Sequence, residues 1–365
     1  MLTQIAPVRT LPVLIALLTL LLCGAANVFA WDRGEVTTFA VLPAGSSGPE
    51  GLTVGPDGNV YVATFGFNGS GPVPGPGQLF TFSPEGHLVS QVSVANASPN
   101  LLGLAFPPGS TSSLLVLDCS LSSGFVPQVW SVDPTSGSSS TFMTIPGAAA
   151  GQNCPNGVTF DKNGNVYVSD SFAGKIWRTG PTGGTATVWA SDATLLTPAP
   201  VVGVPPFGAN GVEFNNAGTA MFVANTANDS LIKIVVNSDG SAGAITTFTN
   251  SINGADGIAI DSHDNIWAAA NQEDEIVVVD PTGKAIAKLG DFDGLDKRGT
   301  PRGLLFPASP AFSKDGRFLY VTNLSLNLTL FGHTAIDSAW CAQVQRYTVS
   351  RIQARIPPLP SSEKR

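Results

Sequence analysis

Charge is scarce in this chain. Of 365 residues only 12% are Asp, Glu, Lys or Arg, and 26 carboxylates against 18 bases leave a net charge of −8. No Lys/Arg-rich block opposes that balance, which argues against nucleic acid or an anionic membrane surface as partner. Histidine is scarcer still, at three. His87 and His263 fall in predicted turns and His333 in a long loop, so no Ser-His-Asp motif can be assembled. Glycine is abundant, at 40, yet nowhere forms a phosphate-cradling loop. None of the four cysteines has a histidine nearby in sequence, which argues against a catalytic thiol.

Long hydrophobic runs are also missing, apart from Leu11–Cys23, a largely apolar stretch too short to span a bilayer comfortably. Arg9 precedes it and Val28-Phe29-Ala30 follows, with small residues at the −3 and −1 positions. Residues 1–30 therefore read as a secretory signal peptide cut after Ala30, with an uncleaved anchor as the alternative. Leu22 stands where a lipoprotein site wants a small residue before Cys23. The expected location is secreted, periplasmic or extracellular, with no membrane contact after cleavage. Export leaves Cys119, Cys154 and Cys341, hence one disulfide and one leftover thiol in an oxidising compartment.

What the chain does have is a repeat. A polar residue, a glycine, strand residues and a turn recur around Gly51, Gly103, Gly157, Gly211, Gly257 and Ser309, spaced 52, 54, 54, 46 and 52 residues apart. Periods of this length mark propellers and solenoids. A tight turn follows, as in Pro56-Asp57-Gly58-Asn59 and Lys162-Asn163-Gly164-Asn165. Then come a second strand such as Val166–Ser169, and a third such as Lys175–Arg178, with Gln343–Tyr347 in the sixth repeat. Fourth strands such as Leu88–Val94 are less distinct, and the sixth repeat has little room for one. The orphan strand Glu35–Leu42 can fill that gap. The expectation is all-β: a six-bladed β-propeller of four-stranded blades over residues 31–355, its ring closed by an N-terminal strand, with 356–365 a tail. Connectivity of the cysteines is not settled by sequence. Cys119 with Cys154 is favoured, because the repeat places both on one rim of adjacent blades.

The residue before each repeat position should begin the innermost strand and face the central channel. Around the ring these are Glu50, Leu102, Asn156, Asn210, Asp256 and Ala308. Two carboxylates and two amide carbonyls converging on a narrow axis suit a hard divalent cation, Ca²⁺ above all, which takes six to eight oxygens. Without a cation, Glu50 and Asp256 would repel and one would tend to hold a proton. The competing reading is that these residues cap strand ends and satisfy turn amides.

The ordered set Glu50-Gly51, Asn156-Gly157, Asn210-Gly211 and Asp256-Gly257 resembles the senescence marker protein/gluconolactonase/regucalcin family, and more distantly the paraoxonases and diisopropyl fluorophosphatase. The resemblance spans most of residues 45–350. It implies that these four side chains hold one central divalent cation and that the protein hydrolyses a lactone or related ester. Asp256 would then act also as catalytic base. Several family members carry an arginine near the second ligand for a sugar-acid carboxylate, and here none is evident beside Cys154-Pro155. An apolar rim (Phe65, Phe67, Phe125, Val201, Val202, Val204, Phe207) suggests a less polar small-molecule substrate.

A second ring closes the second strands: Thr64, Asp118, Asp170, Asn225, Ala270 and Asn323. Asp118, Asp170, Asn225 and Asn323 are candidates for holding the ligands in place. Strand-end residues satisfying loop amides are the alternative. Two rival functions stand beside the hydrolase. One is a non-catalytic NHL-like propeller binding a ligand or protein on its rim. The other is a strictosidine-synthase-like enzyme that needs no metal and uses an acidic residue in an apolar pocket.

Overall fold

Each copy of the recurring phrase folds as the first strand of an antiparallel meander. The computed structural model describes residues 33–121, 124–196 and 207–355. The predicted signal peptide, the rim valines at 201, 202 and 204, and the predicted tail at 356–365 lie outside those residues. The first strands are Pro49–Val54, Leu101–Ala105, Pro155–Phe160, Ala209–Phe214, Ala255–Ile260 and Pro307–Phe312. From each the chain pairs outward through three further strands, as in Ala209–Phe214, Ala220–Asn225, Ser230–Val236 and Ala242–Asn250. The second and third meanders are fused into one eight-stranded sheet by a short parallel pairing, Met143 opposite Gly184 and Thr144 opposite Thr185. Helix is confined to short turns, and no helix among the described residues is long and apolar enough to cross a membrane.

The sixth meander is completed from the other end of the chain. Val36–Val41 pairs antiparallel with Thr348–Gln353, Val36 opposite Ile352 and Val41 opposite Thr348. The third strand of this meander is thus Thr348–Gln353, and the expectation of Gln343–Tyr347 is wrong by five residues. Asn323, at the end of the second strand, faces Thr348, and its amide bonds both Thr348 Oγ1 and Ser350 Oγ. Those hydroxyls set the register, and the similar-looking Gln-Val-Gln-Arg-Tyr segment is left as loop.

The repeat glycine is a matter of space rather than of turn geometry. A Cβ built on Gly51 would lie 2.0 Å from the carbonyl oxygen of Leu102, and one on Gly103 would lie 2.2 Å from that of Asn156. Gly157, Gly211 and Gly257 stand in the same relation to Asn210, Asp256 and Ala308. Each first strand therefore seats its neighbour's carbonyl where a side chain would be. The six first strands touch in sequence, and the sixth touches the first, so they close a ring. In every first strand the pairing register shifts at the axial residue and the one after it, glycine in five strands and Ser309 in the sixth, as between Pro155 and Val158. Such a bulge re-aims a side chain and sharpens the twist.

Apolar side chains fill the spaces between neighbouring meanders. Phe222 and Ala224 meet Ile258 and Val277 between the fourth and fifth, and Leu117 and Val129 meet Val168 and Trp177 between the second and third. The first hairpin turns are clamped by aspartate. Asp161 accepts from the backbone of Asn163 and Asn165, the Asn165 amide and the Tyr167 hydroxyl, and Asp261 repeats the arrangement with Trp267. This accounts for the Asp…Asn-x-aromatic spacing of those turns.

Gly51→Ala should destabilise the fold by about 2–3 kcal/mol through overpacking against Leu102. Gly180→Ala, where a Cβ meets nothing within 4 Å, should change stability by no more than ~0.5 kcal/mol. Chemical denaturation of the two variants gives the comparison, and equal losses would dismiss the packing account.

Candidate functional site

The four predicted ligands come together. Glu50, Asn156, Asn210 and Asp256 line one cavity, each from a different meander and each at the bulge of its first strand. All four are buried, with Glu50 at 3% and Asp256 at 4% exposure. About 30 Å³ of the cavity is open to the centre of a water molecule. That is enough for a water or two, or for an ion. Its walls are apolar: Phe65, Leu102, Phe207 and Phe306, with Leu324, Leu326 and Leu328 from the last long loop. In that loop the alternate residues turn the other way, Ser325 onto the Leu305 carbonyl and Asn327 onto that of Gly69.

Two carboxylates on this floor each keep an oxygen without a partner. Glu50 Oε2 and Asp256 Oδ1 are buried and accept no hydrogen bond, whereas Asp256 Oδ2 accepts from Asn271 Nδ2 at 3.2 Å. Burial first, and the neighbouring Asp256 charge second, push the Glu50 carboxyl well above the usual range. Burial pushes Asp256 up to about 7 against the opposing pull of the Asn271 hydrogen bond. Among the described residues no positive side chain lines the cavity. Unpaired buried carboxylate oxygens are costly, and a divalent cation on an all-oxygen set removes that cost. The donor set fits such an ion. Among the described residues no group of three or more His, Cys, Asp or Glu stands at metal-binding spacing, here or elsewhere. The four-residue set reaches its oxygen count only through its two amides.

The amide nitrogens are engaged elsewhere. Asn156 Nδ2 donates to Ser171 Oγ at 3.0 Å, and Asn210 Nδ2 donates to Thr226 Oγ1 at 2.8 Å. Ser171, Thr226 and Asn271 escaped the sequence reading. They sit one place beyond the predicted second ring, in repeat register, and that register is the signal that could have found them.

The second ring itself lies off the cavity. Asp118 accepts from the Ser98 backbone at 2.9 Å, the Ser98 hydroxyl at 2.5 Å and Trp130 Nε1 at 3.0 Å. Asp170 accepts from Asn153 Nδ2, Trp177 Nε1 and the backbone of Cys154, Phe172 and Ala173. Asn225 holds the carbonyls of Thr194 and Leu196, and Asn323 ties Leu305 to the third strand of its own sheet. These four side chains fasten loops to strand ends. Cys119 and Cys154 are joined in a disulfide, and Cys341 is free and buried. Of the predicted rim, Phe65 and Phe207 line the cavity, Phe67 packs between Phe65 and Phe331, and Phe125 is exposed.

The fold is a closed ring of antiparallel meanders with buried oxygen donors at its axis, and comparison with known proteins shows what the chain is similar to. Residues 122–290 match the model of the SMP-30/Gluconolactonase/LRE-like region, and residues 37–65 match that of the strictosidine synthase-like N-terminal region. The resemblance to the SMP-30/gluconolactonase family is thus found in the sequence itself. No curated protein matches. Among solved structures the chain is similar to a calcium-binding regucalcin from Agrobacterium tumefaciens, at 18% identity and a TM-score of 0.59, covering 88% of this chain and 98% of that one. A gluconolactonase from Xanthomonas campestris follows at 12% identity and 0.58, covering 90% and 92%. A luciferin-regenerating enzyme matches at 14% and 0.59, covering 88% and 95%. At these identities the structural likeness concerns the fold.

The two raised carboxyls set a pH dependence. Between about pH 4 and 7 the folded, cation-free protein holds more protons than the unfolded chain, so stability falls as pH rises through that window. Asp256 alone accounts for a loss on the order of 4 kcal/mol. Thermal unfolding in chelator should show this loss between about pH 4 and 8, Asp256→Asn should flatten it, and added Ca²⁺ should reverse most of it. An identical pH profile with and without Ca²⁺ would leave the donor set without an ion.

Proposed function

We propose that this chain is a six-bladed propeller carrying one divalent cation, Ca²⁺ by preference, on its axis, and that it hydrolyses a lactone or related ester. The observation that carries the reading is the convergence of Glu50, Asn156, Asn210 and Asp256 on one buried cavity, with a free oxygen on each carboxylate. The matched family description and the neighbouring gluconolactonase and calcium-binding regucalcin support the reaction class and the ion. We also read residues 1–30 as a cleaved export signal, with the Cys119–Cys154 disulfide in support, and 31–355 as the folded domain.

In this reading the four side chains hold the cation. When bound, it supplies Lewis acidity that polarises the ester carbonyl and favours the developing oxyanion. The protein's own part is proton transfer and exclusion of water. Asp256 would take the proton of the attacking water on Oδ2, the oxygen that Asn271 holds, and return it to the leaving alkoxide, with Oδ1 left for the cation. The leucines and phenylalanines of the walls keep the reacting centre dry, which strengthens each electrostatic contact within it.

One observation favours a second reading. The strictosidine synthase-like match covers Glu50, a carboxyl raised by burial against apolar walls, which suits a metal-independent enzyme using a lone acid. A panel of lactones and aryl esters, assayed with and without chelator, separates the two. Cation-dependent hydrolysis should vanish in chelator and return with Ca²⁺, and Asp256→Asn should lower kcat by about 10²-fold or more. Chelator-insensitive turnover would favour the second reading, and no turnover with any member would leave a binding propeller.

A further inference from the structure

A side-chain amide has two ends of nearly equal shape, and only its oxygen can serve a cation. Which end of Asn156 and Asn210 is offered depends on what the other end is bonded to. Ser171 Oγ donates its single proton to the Ala209 carbonyl at 2.7 Å, and Thr226 Oγ1 donates its own to the Ala255 carbonyl at 2.8 Å. A hydroxyl whose proton is committed must accept from its next neighbour. The atoms of Asn156 and Asn210 that touch these hydroxyls are therefore NH₂ groups, and the carbonyl oxygens are at the opposite ends. Rotating either amide by a half turn would set oxygen against hydroxyl oxygen with no proton between them.

These hydroxyls occupy one repeat position, directly after the second strand. Around the ring that position holds Phe65, Cys119, Ser171, Thr226, Asn271 and Leu324. It is polar and uncrosslinked only on the three meanders that carry Asn156, Asn210 and Asp256. On the fifth, Asn271 does the corresponding work by donating to Asp256 Oδ2, which leaves Oδ1 unpartnered. Glu50 has two equivalent oxygens and no wrong end to present, and Phe65 stands at its position. Ala209 and Ala255 directly precede Asn210 and Asp256, so each hydroxyl orients its own amide and anchors the start of the next first strand.

We propose that Ser171 and Thr226 are positioning residues that fix the oxygen ends of Asn156 and Asn210 for a cation, while Asn271 steadies the Asp256 carboxylate through Oδ2. The proposal rests on the cation reading given above. Calorimetric titration of the mature protein with Ca²⁺, alone and as Thr226→Val, Thr226→Ser and Ser171→Ala, tests it without any assay of turnover. Thr226→Val keeps the shape and loses the hydroxyl, so Ca²⁺ affinity should drop about 10–100-fold. Thr226→Ser keeps the hydroxyl and should stay within about threefold of wild type, and Ser171→Ala should fall as Thr226→Val does. Melting in chelator confirms that each variant is folded, and Ser171→Ala carries the test if Thr226→Val is not. Wild-type affinity in the folded hydroxyl-less variants, or equal loss in Thr226→Ser, would overturn the positioning role while leaving the cation in place. A wild-type protein that takes up no Ca²⁺ would overturn the cation reading and this inference with it.

Discussion

The constraint on which the structure depends is crowding at the axis. Five of the six inner strands approach their neighbours closely because one residue in each gives up its side chain, and the carbonyl of the next strand takes the vacated place. Where the sixth strand has Ser309 in place of glycine, Thr322 Oγ1 receives the Ser309 amide and donates to the Glu50 carbonyl at 2.7 Å. Ser169 does the same between Gly157 and the Asn210 carbonyl. The residue before each glycine is thereby held at a bulge by both neighbours. A cavity built from such residues is held by backbone as well as by the side-chain bonds of Asn156, Asn210 and Asp256.

Rigidity is what makes two uncompensated carboxylates tolerable. A looser site would separate Glu50 from Asp256 or admit enough water to solvate both. Here the backbone holds them, the third, fourth and fifth meanders supply hydroxyl and amide partners behind the floor, and the sixth supplies leucines in front. Polarity is thus split across the ring, with Phe65 and the Cys119–Cys154 disulfide on the apolar side. In the cation reading proposed above, the electrostatic cost stored in the floor is the driving force for ion uptake.

Much of this was legible in the sequence because symmetry made it so. Six copies of one phrase exposed the axial positions, and the departures from a single residue type among them, Glu50 and Asp256 above all, pointed to a site. Legibility failed where symmetry lapses. Gln343–Tyr347 has the alternation of a third strand, and only the pairing of Asn323 with Thr348 shows the register to lie further on. Phe306, Leu326 and Leu328 come from loops with no counterpart in the other repeats. Ser171, Thr226 and Asn271 do share a position, but three different residue types conceal a common task that only hydrogen-bond geometry shows.

The strand Val36–Val41 has a kinetic consequence. Its one partner strand among the described residues, Thr348–Gln353, is synthesised after the other strands of the fold, so it must wait unpaired while nearly all of the sheet structure forms. Until they meet, two complementary edges stand open, and either can be taken by the opposite edge of another molecule. Concentrated nascent chains are thereby exposed to domain exchange at this one seam, a hazard absent once the circle is shut.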